Sequence, residues 1–433
     1  GHGRNFPRSE GVKLIDIFAV FFGVILTFLI VVVIHELGHF FAARLMGVKP
    51  EIFSVGFGKP IWSRKARQVI IWQAARIPAG GYVRFVADEN AASLSSVADG
   101  PVIAGSLKAA SKSAQAFVAI AGPLANVIFT VVALSVLPFM SGVTAYPWTV
   151  ANVTLSSDVT GLRVGDQLVA VADDEITSQD TLGSLVSRLP SNSEVVYQIA
   201  RDGVLRAEIA PRPDLPLIGN VADGSAAADA GLQPGDLLKT IDGEPVHAWS
   251  DLQRIVAASD GEAMAFIYDR NGSEMATQIT ARQSDGRWLV GVGGLPLFTL
   301  ATERPGIGEA VQSGVSRSWD LLTNLVTGLA GSLTGQNDSC DLDGPIQIAS
   351  VAGQAIQLGP ETFLLFLAII SLGLGVLNLL PVPILDGGHL MLLGYGGATG
   401  RPLGKKMQAV LFIGGVTIIV FLMLTATVND LTC

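Results

Sequence analysis

Charge is scarce in this chain: only 15% of its 433 residues are Asp, Glu, Lys or Arg, whereas 49% are hydrophobic. The mean hydropathy of +0.49 excludes an ordinary soluble protein. Uncharged runs long enough to cross a bilayer, which takes about 20 residues, explain the excess. We therefore expect an α-helical polytopic membrane protein with four transmembrane helices, at residues 15–35, 114–139, 363–385 and 408–428.

The first span also lacks the features of a cleaved signal peptide. Its apolar run is longer than the core of such a peptide, has no small-residue cleavage site and continues into a charged motif. We expect it to be retained in the membrane.

The few charges are distributed unevenly. From Arg44 to Lys112, between the first two spans, ten basic and four acidic residues give a net charge of +6, and three more basic residues precede the last span. Residues 150–304 instead carry 22 acidic and 11 basic residues, a net charge of −11. The positive-inside rule then places the short connections in the cytoplasm and residues 150–304 outside it. The acidic section would repel phosphate, so we expect no nucleic-acid partner.

Cysteine is nearly absent. Cys340 and Cys433 are too far apart for a CxxC metal or redox motif. The expected topology places both outside the cytoplasm, where a disulfide is permitted, and the sequence leaves open whether they form a bond or two free thiols.

Residues 150–283 contain an internal repeat with a period of 70 residues. The stretch GLRVGDQLVAVADDEI begins at Gly161, and GLQPGDLLKTIDGEPV begins at Gly231. Each copy alternates short β-type runs with one amphipathic segment and with turns rich in Gly and Asp. The copies resemble PDZ domains of the bacterial protease type, the second more closely than the first.

This resemblance predicts two inserted β-rich PDZ domains, at residues 150–215 and 216–284. Such domains capture an extended peptide or a C-terminus by adding it to a sheet edge. A role as spacers without a peptide ligand is the alternative.

The segment 305–350 follows the repeats and contains an apolar stripe at helical spacing. Its members are Ile307, Val311, Val315, Trp319, Leu322, Val326, Leu329 and Leu333. The stripe predicts an amphipathic helix that lies on the membrane surface or packs against the spans. We expect packing, because the polar face has few charges.

The motif HELGH interrupts the first span. On a helix His35 and His39 lie one turn apart on one face, so both imidazoles can reach one zinc ion at about 2.0–2.1 Å. Glu36 is turned aside and can act as a general base on water. A polar cluster or a proton relay is the alternative, which is weakened because ionisable residues within a span usually mark a functional site.

A catalytic zinc typically has three protein ligands and one open position. The stretch NLLPVPILDGGHL (378–390) is expected to end the third span with Asp386, beside two glycines that permit close backbone approach. Spans one and three run in the same direction, so HELGH and Asp386 both lie toward their cytoplasmic ends. We expect Asp386 to be the third ligand; His389, or a helix cap at Asp386, is the alternative.

Together these motifs resemble the site-2 protease family of intramembrane zinc metalloproteases, in particular its RseP-type bacterial branch. HELGH, LDGG after NLLP, and the paired PDZ copies between them carry the resemblance, which covers the chain from about residue 13. Supporting stretches are SVGFG (54–58), IPAGGYVRF (77–85), AGPLAN (121–126) and DGPIQIA (343–349). For AGPLAN we favour a helix kink with close packing over a direct part in catalysis.

The resemblance implies an enzyme that hydrolyses peptide bonds in transmembrane segments of other proteins, with one Zn²⁺ per chain. It implies His35, His39 and Asp386 as metal ligands and Glu36 as the general base.

The resemblance also implies residues that hold the substrate. Asn378 and Pro381 match the family's Asn-x-x-Pro, which is implicated in holding the substrate strand. The β-type runs around Gly80 and Gly81, in the cytoplasmic loop of the segment 13–139, can present a strand edge to an unwound substrate. A plain cytoplasmic hairpin is the alternative.

The resemblance implies a location as well: a bacterial inner membrane, with the active site toward the cytoplasm and the PDZ domains in the periplasm. The implied partner is a single-span anti-sigma factor, which receives its second cut in an envelope stress response. Two rival functions remain open. A metal or proton transporter would need polar residues in several spans, and a membrane-anchored PDZ scaffold would bind zinc without cleaving any membrane segment.

Overall fold

The computed structural model describes residues 14–432 except for 67–69, 87–102, 156–159, 178–179, 191, 223, 285–286, 335–343, 384 and 402. Cys340 and Cys433, with the question of their disulfide, lie outside these residues. The chain forms two compact units. One contains the residues up to Ser141 together with Pro305–Thr432, and the other is Gly142–Arg304.

The helices are α1 (Leu14–Leu45), α2 (Lys112–Ser141), α3 (Leu182–Arg188), α4 (Ala226–Asp229), α5 (Trp249–Ala257), α6 (Ile307–Thr334), α7 (Pro345–Leu358), α8 (Pro360–Asn378), α9 (Asp386–Thr399) and α10 (Lys405–Thr432). The strands are β1 (Pro50–Ala66), β2 (Ile70–Phe85), β3 (Val143–Thr144), β4 (Val150–Val153), β5 (Gln167–Val171), β6 (Asp174–Glu175), β7 (Glu194–Arg201), β8 (Val204–Pro211), β9 (Ile218–Val221), β10 (Leu237–Ile241), β11 (Glu244–Pro245), β12 (Ala263–Arg270), β13 (Ser273–Thr280), β14 (Arg282–Ser284), β15 (Arg287–Leu289), β16 (Val292–Gly294), β17 (Phe298–Leu300) and β18 (Thr302–Glu303).

Four helices in the described part of the chain are long and apolar enough to cross a membrane: α1, α2, α8 and α10. They agree with the four spans expected from the sequence except at two ends. The first helix continues beyond the predicted end at residue 35 to Leu45, and the predicted end of the third span, at residue 385, is wrong. Helix α8 ends at Asn378 and a loop follows, because Pro381 and Pro383 lack the N–H groups that would continue the helix. Asp386 therefore begins α9 instead of ending α8.

Small residues bring α1 against its neighbours. A Cβ added to Gly38 would overlap the carbonyl oxygen of Ala121 and lie 2.7 Å from the Cβ of Ala125, both in α2. A Cβ added to Gly23 would lie 2.7 Å from the carbonyl oxygen of Ala352 in α7. The glycine within HELGH thus permits close approach of α1 and α2 beside the motif's histidines.

Strands β1 and β2 form a folded hairpin beside α1. Residues 52–55 pair with residues 81–84 on one side and with residues 71–74 on the other. Residues 60–66 pair in turn with residues 70–75. Residues 80–85 are therefore an edge of this sheet, and none of the described strands pairs with their outer side.

Helix α6 packs against α2, which confirms the expected helix and its packing. The buried face is not the expected one, because the contact is made by the small residues Ala310, Gly314 and Ser318, which are buried. The stripe residues Ile307, Val311, Val315, Trp319 and Val326 are exposed, Leu322 is half-buried, and the side chains of Leu329 and Leu333 lie outside the described ones. Small residues allow close contact between helices, while an apolar outer face suits lipid.

The carboxylate of Asp430, near the end of α10, accepts hydrogen bonds from the first N–H groups of α7. The N–H of Gly344 donates at 2.8 Å, that of Ile346 at 2.9 Å and that of Gln347 at 3.3 Å. Helix α7 has no side-chain cap of its own. A residue 83 to 86 positions later in the chain therefore supplies the acceptors that a helix N-terminus needs.

The second unit contains two sheets of the same strand order, β6-β5-β7-β8 and β11-β10-β12-β13, which correspond to the two sequence repeats. Each sheet has its own buried core, with Trp148, Tyr197 and Phe298 in the first and Phe266 and Tyr268 in the second. Strands that follow both repeats complete the arrangement, because β16 pairs with β9, β17 with β4 and β18 with β3.

An arginine–aspartate pair recurs in both repeats. The Nε of Arg201 lies 2.7 Å from Oδ1 of Asp166, and the Nε of Arg270 lies 2.7 Å from Oδ1 of Asp236. Burial tends to raise the pKa of Asp166, but the hydrogen bonds from Arg201 outweigh it and lower that pKa. The repeat seen in the sequence is thus also a repeat of side-chain contacts.

Candidate metal centre

Three side chains from two helices converge near the C-terminal end of α1. His35 and His39 of α1 meet Asp386 at the start of α9, and all three residues are buried. The Nε2 atoms of the two histidines are 3.1 Å apart. Oδ2 of Asp386 lies 3.1 Å from Nε2 of His35 and 3.4 Å from Nε2 of His39.

This spacing fits a tetrahedral zinc site. With bonds of about 2.0–2.1 Å, two ligand atoms of a tetrahedral site lie about 3.3 Å apart. The three observed distances of 3.1, 3.1 and 3.4 Å bracket that value. Two imidazoles and one carboxylate also form a donor set that zinc commonly takes, with a fourth position left for water or substrate.

The hydrogen bond of His39 orients its ring for metal binding. Nδ1 of His39 lies 2.7 Å from the carbonyl oxygen of Val118 in α2. Because a carbonyl only accepts, Nδ1 carries the proton and donates it there. Nε2 is left with a free lone pair, which points at Asp386 and His35.

Asn126 lies next to Nδ1 of His35, as the carbonyl of Val118 lies next to Nδ1 of His39. Its amide nitrogen lies 3.4 Å from Nδ1 of His35, and its Oδ1 has no hydrogen-bond partner although the residue is fully buried. For Nε2 of His35 to bind a metal, Nδ1 must carry the proton and needs an acceptor. A 180° rotation of the Asn126 amide places Oδ1 there, so the residue can hold the second ring as Val118 holds the first.

Gly122 forms the wall of the site on the α2 side. A Cβ at this position would overlap Nε2 of His39 and would lie 2.8 Å from Nε2 of His35. From the sequence we expected AGPLAN to have only a packing role; the packing is against the two imidazoles themselves, which the sequence did not reveal. The available signal was the spacing of Gly122 and Asn126, four residues apart on one helix face.

Glu36 lies beside the hairpin and is not one of the three converging residues. A Cβ added to Gly81 of β2 would lie 3.3 Å from Cγ of Glu36. The backbone N–H of Val83 donates a hydrogen bond to the Glu36 carboxylate. The edge strand 80–85 is therefore in contact with the residue expected to be the general base.

The other predicted site residues lie outside the converging group. Asn378 is the half-buried last residue of α8, and Pro381 is exposed in the loop that leads to Asp386. In the hairpin, Gly80 has a φ of +149°, and a Cβ there would overlap the ring of Phe57. Gly80 therefore needs to be glycine for a structural reason.

The two glycines of LDGG pack against the loop that precedes them. A Cβ on Gly387 would overlap the carbonyl oxygen of Leu379, and one on Gly388 would overlap that of Val382. The close approach folds the loop back on the first turn of α9 and so fixes where Asp386 begins the helix.

Comparison with known proteins matches residues 23–422 to the family described as Peptidase family M50. The chain belongs to peptidase family M50. It is 34% identical to a putative zinc metalloprotease of Neisseria meningitidis, over 94% of this chain and 98% of that protein. It is 31% identical to the regulator of sigma E protease of Haemophilus influenzae and to the regulator of sigma-E protease RseP of Escherichia coli, each over at least 94% of this chain and 97% of the relative.

Membership of family M50 confirms the resemblance to site-2 proteases and makes the chain a zinc metalloprotease. Its four apolar helices make it a membrane protein. The transporter and scaffold alternatives are not favoured. Among solved structures, a PDZ domain of an SdrC-like protein from Listeria monocytogenes matches 19% of this chain and 88% of its own length at 24% identity, with a TM-score of 0.18.

Proposed function

We propose that His35, His39 and Asp386 hold one zinc ion and that Glu36 is the general base for hydrolysis of a peptide bond in a transmembrane segment. The main support for this proposal is that three metal-binding atoms lie 3.1–3.4 Å from one another, although His39 and Asp386 are 347 residues apart in the chain. When bound, zinc would activate water and polarise the carbonyl of the bond to be cut.

In this proposal Glu36 takes a proton from the attacking water and later delivers it to the leaving amine. Its carboxylate is not one of the three converging ligands, and it accepts a hydrogen bond from the N–H of Val83. Gly122 leaves the space that the imidazoles need, and Val118 and Asn126 orient their rings.

The edge strand 80–85 is the proposed docking place for the substrate backbone. A helical substrate hides its carbonyls in hydrogen bonds and must unwind before attack. Pairing with a sheet edge satisfies the freed groups, which lipid cannot do. The contact of Gly81 and Val83 with Glu36 supports this assignment. Asn378 and Pro381, on the segment that leads to Asp386, are proposed to hold the substrate from the opposite side.

The proposed location is a bacterial inner membrane, with the centre toward the cytoplasm and residues 142–304 in the periplasm. The charge asymmetry of the connections supports this orientation. We also propose that the two repeats, 150–215 and 216–284, are PDZ domains, which the matching strand orders of their sheets support.

The proposed substrate is a single-span membrane protein, such as an anti-sigma factor that has already lost its outer domain. Two relatives of nearly the same length bear the name of a regulator of sigma E protease, which supports a role in that pathway.

The test is cleavage of a single-span reporter in proteoliposomes that contain the purified chain. Wild type should cut within the reporter's membrane segment, and cleavage should stop on zinc chelation and return with added zinc. Glu36→Gln should bind zinc but not cut, whereas Glu361→Gln, which changes an exposed glutamate of α8, should cut normally. Stoichiometric zinc without cleavage of any membrane segment would instead support the scaffold or transporter.

A further inference from the structure

A cavity of about 270 Å³ opens in the second unit between the two repeats. Its lining is apolar apart from one carboxylate and consists of Leu182, Val186, Pro213, Asp214, Leu215, Trp249, Gly294, Leu295 and Pro296. Helix α3 of the first repeat and the first residue of α5 in the second repeat both contribute. Neither repeat forms this cavity alone, and the segment 294–296 that follows both repeats completes it.

The walls of the cavity are fixed by close contacts. A Cβ added to Gly294 would lie 2.8 Å from the indole ring of Trp249, so the backbone packs flush against that ring. The N–H of Trp249 donates to the carbonyl oxygen of Asp214 at 2.8 Å. The Asp214 carboxylate accepts a hydrogen bond from Nε of Arg212 at 2.9 Å, so its charge is paired.

The cavity is not equipped to capture a terminal carboxylate. Such capture needs a cation or a run of free backbone N–H groups. None of the nine lining residues is cationic. The N–H of Leu295 donates to Leu217 and that of Leu297 to Pro213, while Pro296 between them has no N–H.

The geometry therefore points to a different ligand: we propose that this cavity binds the apolar side chains of an extended internal segment of a partner's outer region, not a free C-terminus. The volume is close to the lower limit of about 300 Å³ for ligand pockets, which suits a few side chains. Trp249 and Leu182 supply apolar contact, and the paired Asp214 leaves no unbalanced charge. In so far as that partner is the protease's substrate, the inference rests on the proposed function.

The experiment measures fluorescence anisotropy of labelled peptides added to the full chain in lipid nanodiscs. The probes are ten-residue Ser/Thr-rich peptides, labelled at the N-terminus, that contain one Leu-Phe-Val triplet. In one peptide the triplet is central and the end is amidated. In the other two it stands at the C-terminus, as the free acid or as the amide.

We expect the central triplet to bind and the terminal acid to bind no more tightly than its amide. Leu295→Lys should weaken binding by about tenfold or more, since it places a charge in the apolar wall. Leu205→Lys is the matched control, because Leu205 is a leucine of the same unit that is 70% exposed and lies outside the cavity. It should leave binding unchanged.

Three results would overturn the proposal. The first is a terminal acid that binds more tightly than its amide, which would mean end capture. The second is absence of binding by wild type, and the third is equal binding by Leu295→Lys. Cleavage of a reporter without an outer domain, measured in the same preparations, separates this from the proposed function: cleavage with failed peptide binding refutes the cavity alone, and loss of cleavage refutes the protease.

Discussion

At the scale of single residues, the metal centre depends on the missing side chain of Gly122 as much as on the imidazoles of His35 and His39. The two Nε2 atoms approach α2 so closely that even a methyl group would occupy their space. A tightly packed interior cannot absorb such an intrusion without moving a neighbour.

Gly122→Ala is therefore expected to abolish zinc binding and cleavage while the spans stay inserted. The added Cβ would displace His39 from its position beside Asp386. Zinc content of the purified variant, measured by mass spectrometry, checks this. Gly373→Ala in α8 is the matched control, because a Cβ there has nothing within 4 Å. Full zinc occupancy in Gly122→Ala would show that α2 yields more readily than the packing indicates.

The identity of the third ligand gives a second prediction. Asp386→Asn should lower zinc affinity by more than the roughly 10–100-fold that loss of an outer-shell partner costs, and should abolish cleavage. His389→Ala should do much less, because His389 is absent from the converging group. If zinc content survives Asp386→Asn but falls in His389→Ala, the assignment of the third ligand is wrong.

The sequence reveals some of these residues and hides others for a physical reason. His35, His39 and Asp386 carry ionisable groups that are costly in a membrane, so their presence alone indicates a site. Gly122 contributes empty space, which has no signature in composition or periodicity. Asn126 was visible as a polar residue within a span, but its distance from His35 appears only once α1 and α2 are packed.

At the scale of elements, helix α6 shows where sequence patterns fail in a membrane protein. In water an apolar stripe at helical spacing faces the core, and this rule predicted the helix correctly but its buried face wrongly. Lipid tails are as apolar as leucine, so large apolar side chains gain little by packing inward. Close contact with α2 is made instead by residues small enough to permit it, such as Gly314, where an added Cβ would overlap Oγ of Ser135.

This packing predicts opposite effects for two glycines of the same helix. Gly314→Ala should lower the unfolding temperature, because its Cβ would lie 2.8 Å from the carbonyl oxygen of Val131 and overlap Oγ of Ser135. Gly328→Ala should raise the unfolding temperature slightly. Alanine's higher helix propensity adds up to about 1 kcal/mol to the free energy of unfolding, and its Cβ meets nothing within 4 Å. Thermal unfolding of both variants in the same lipid decides. A stable Gly314→Ala would contradict the small-residue interface.

The loop before α9 is a second element that the pattern misplaced. The apolar run continues through residue 385, so hydropathy alone extends the span to that point. Pro381 and Pro383 end it earlier, and the glycines of LDGG fold the loop back. The predicted proximity of Asp386 to HELGH is nevertheless confirmed, because the side chain of Asp386 reaches both histidines from the start of α9.

At the scale of the whole molecule, the division into two units carries a prediction about access. We expect residues 142–304 to inspect the outer part of a partner and to take no part in the chemistry. The three converging ligand residues, His35, His39 and Asp386, all belong to the other unit.

Replacement of residues 142–304 by a flexible Gly/Ser linker should leave zinc binding intact. Cleavage should persist or broaden, so that partners with large outer domains become substrates. Reporters with and without a folded outer domain, cut in proteoliposomes, provide the measurement. Loss of cleavage in a variant that inserts and binds zinc would make the second unit part of the working enzyme.

Strand β17 has a consequence for the order in which the chain can fold. Its Phe298 is fully buried in the first repeat's core, yet β17 begins 145 residues after its partner β4 ends. At a synthesis rate of about 5–20 residues per second, β4 waits about 7–30 s for that partner. During this interval the first repeat exposes an unpaired strand and an unfilled core to other chains. The nascent chain is therefore exposed to aggregation, and needs a chaperone that binds unfolded segments, before its last span is synthesised.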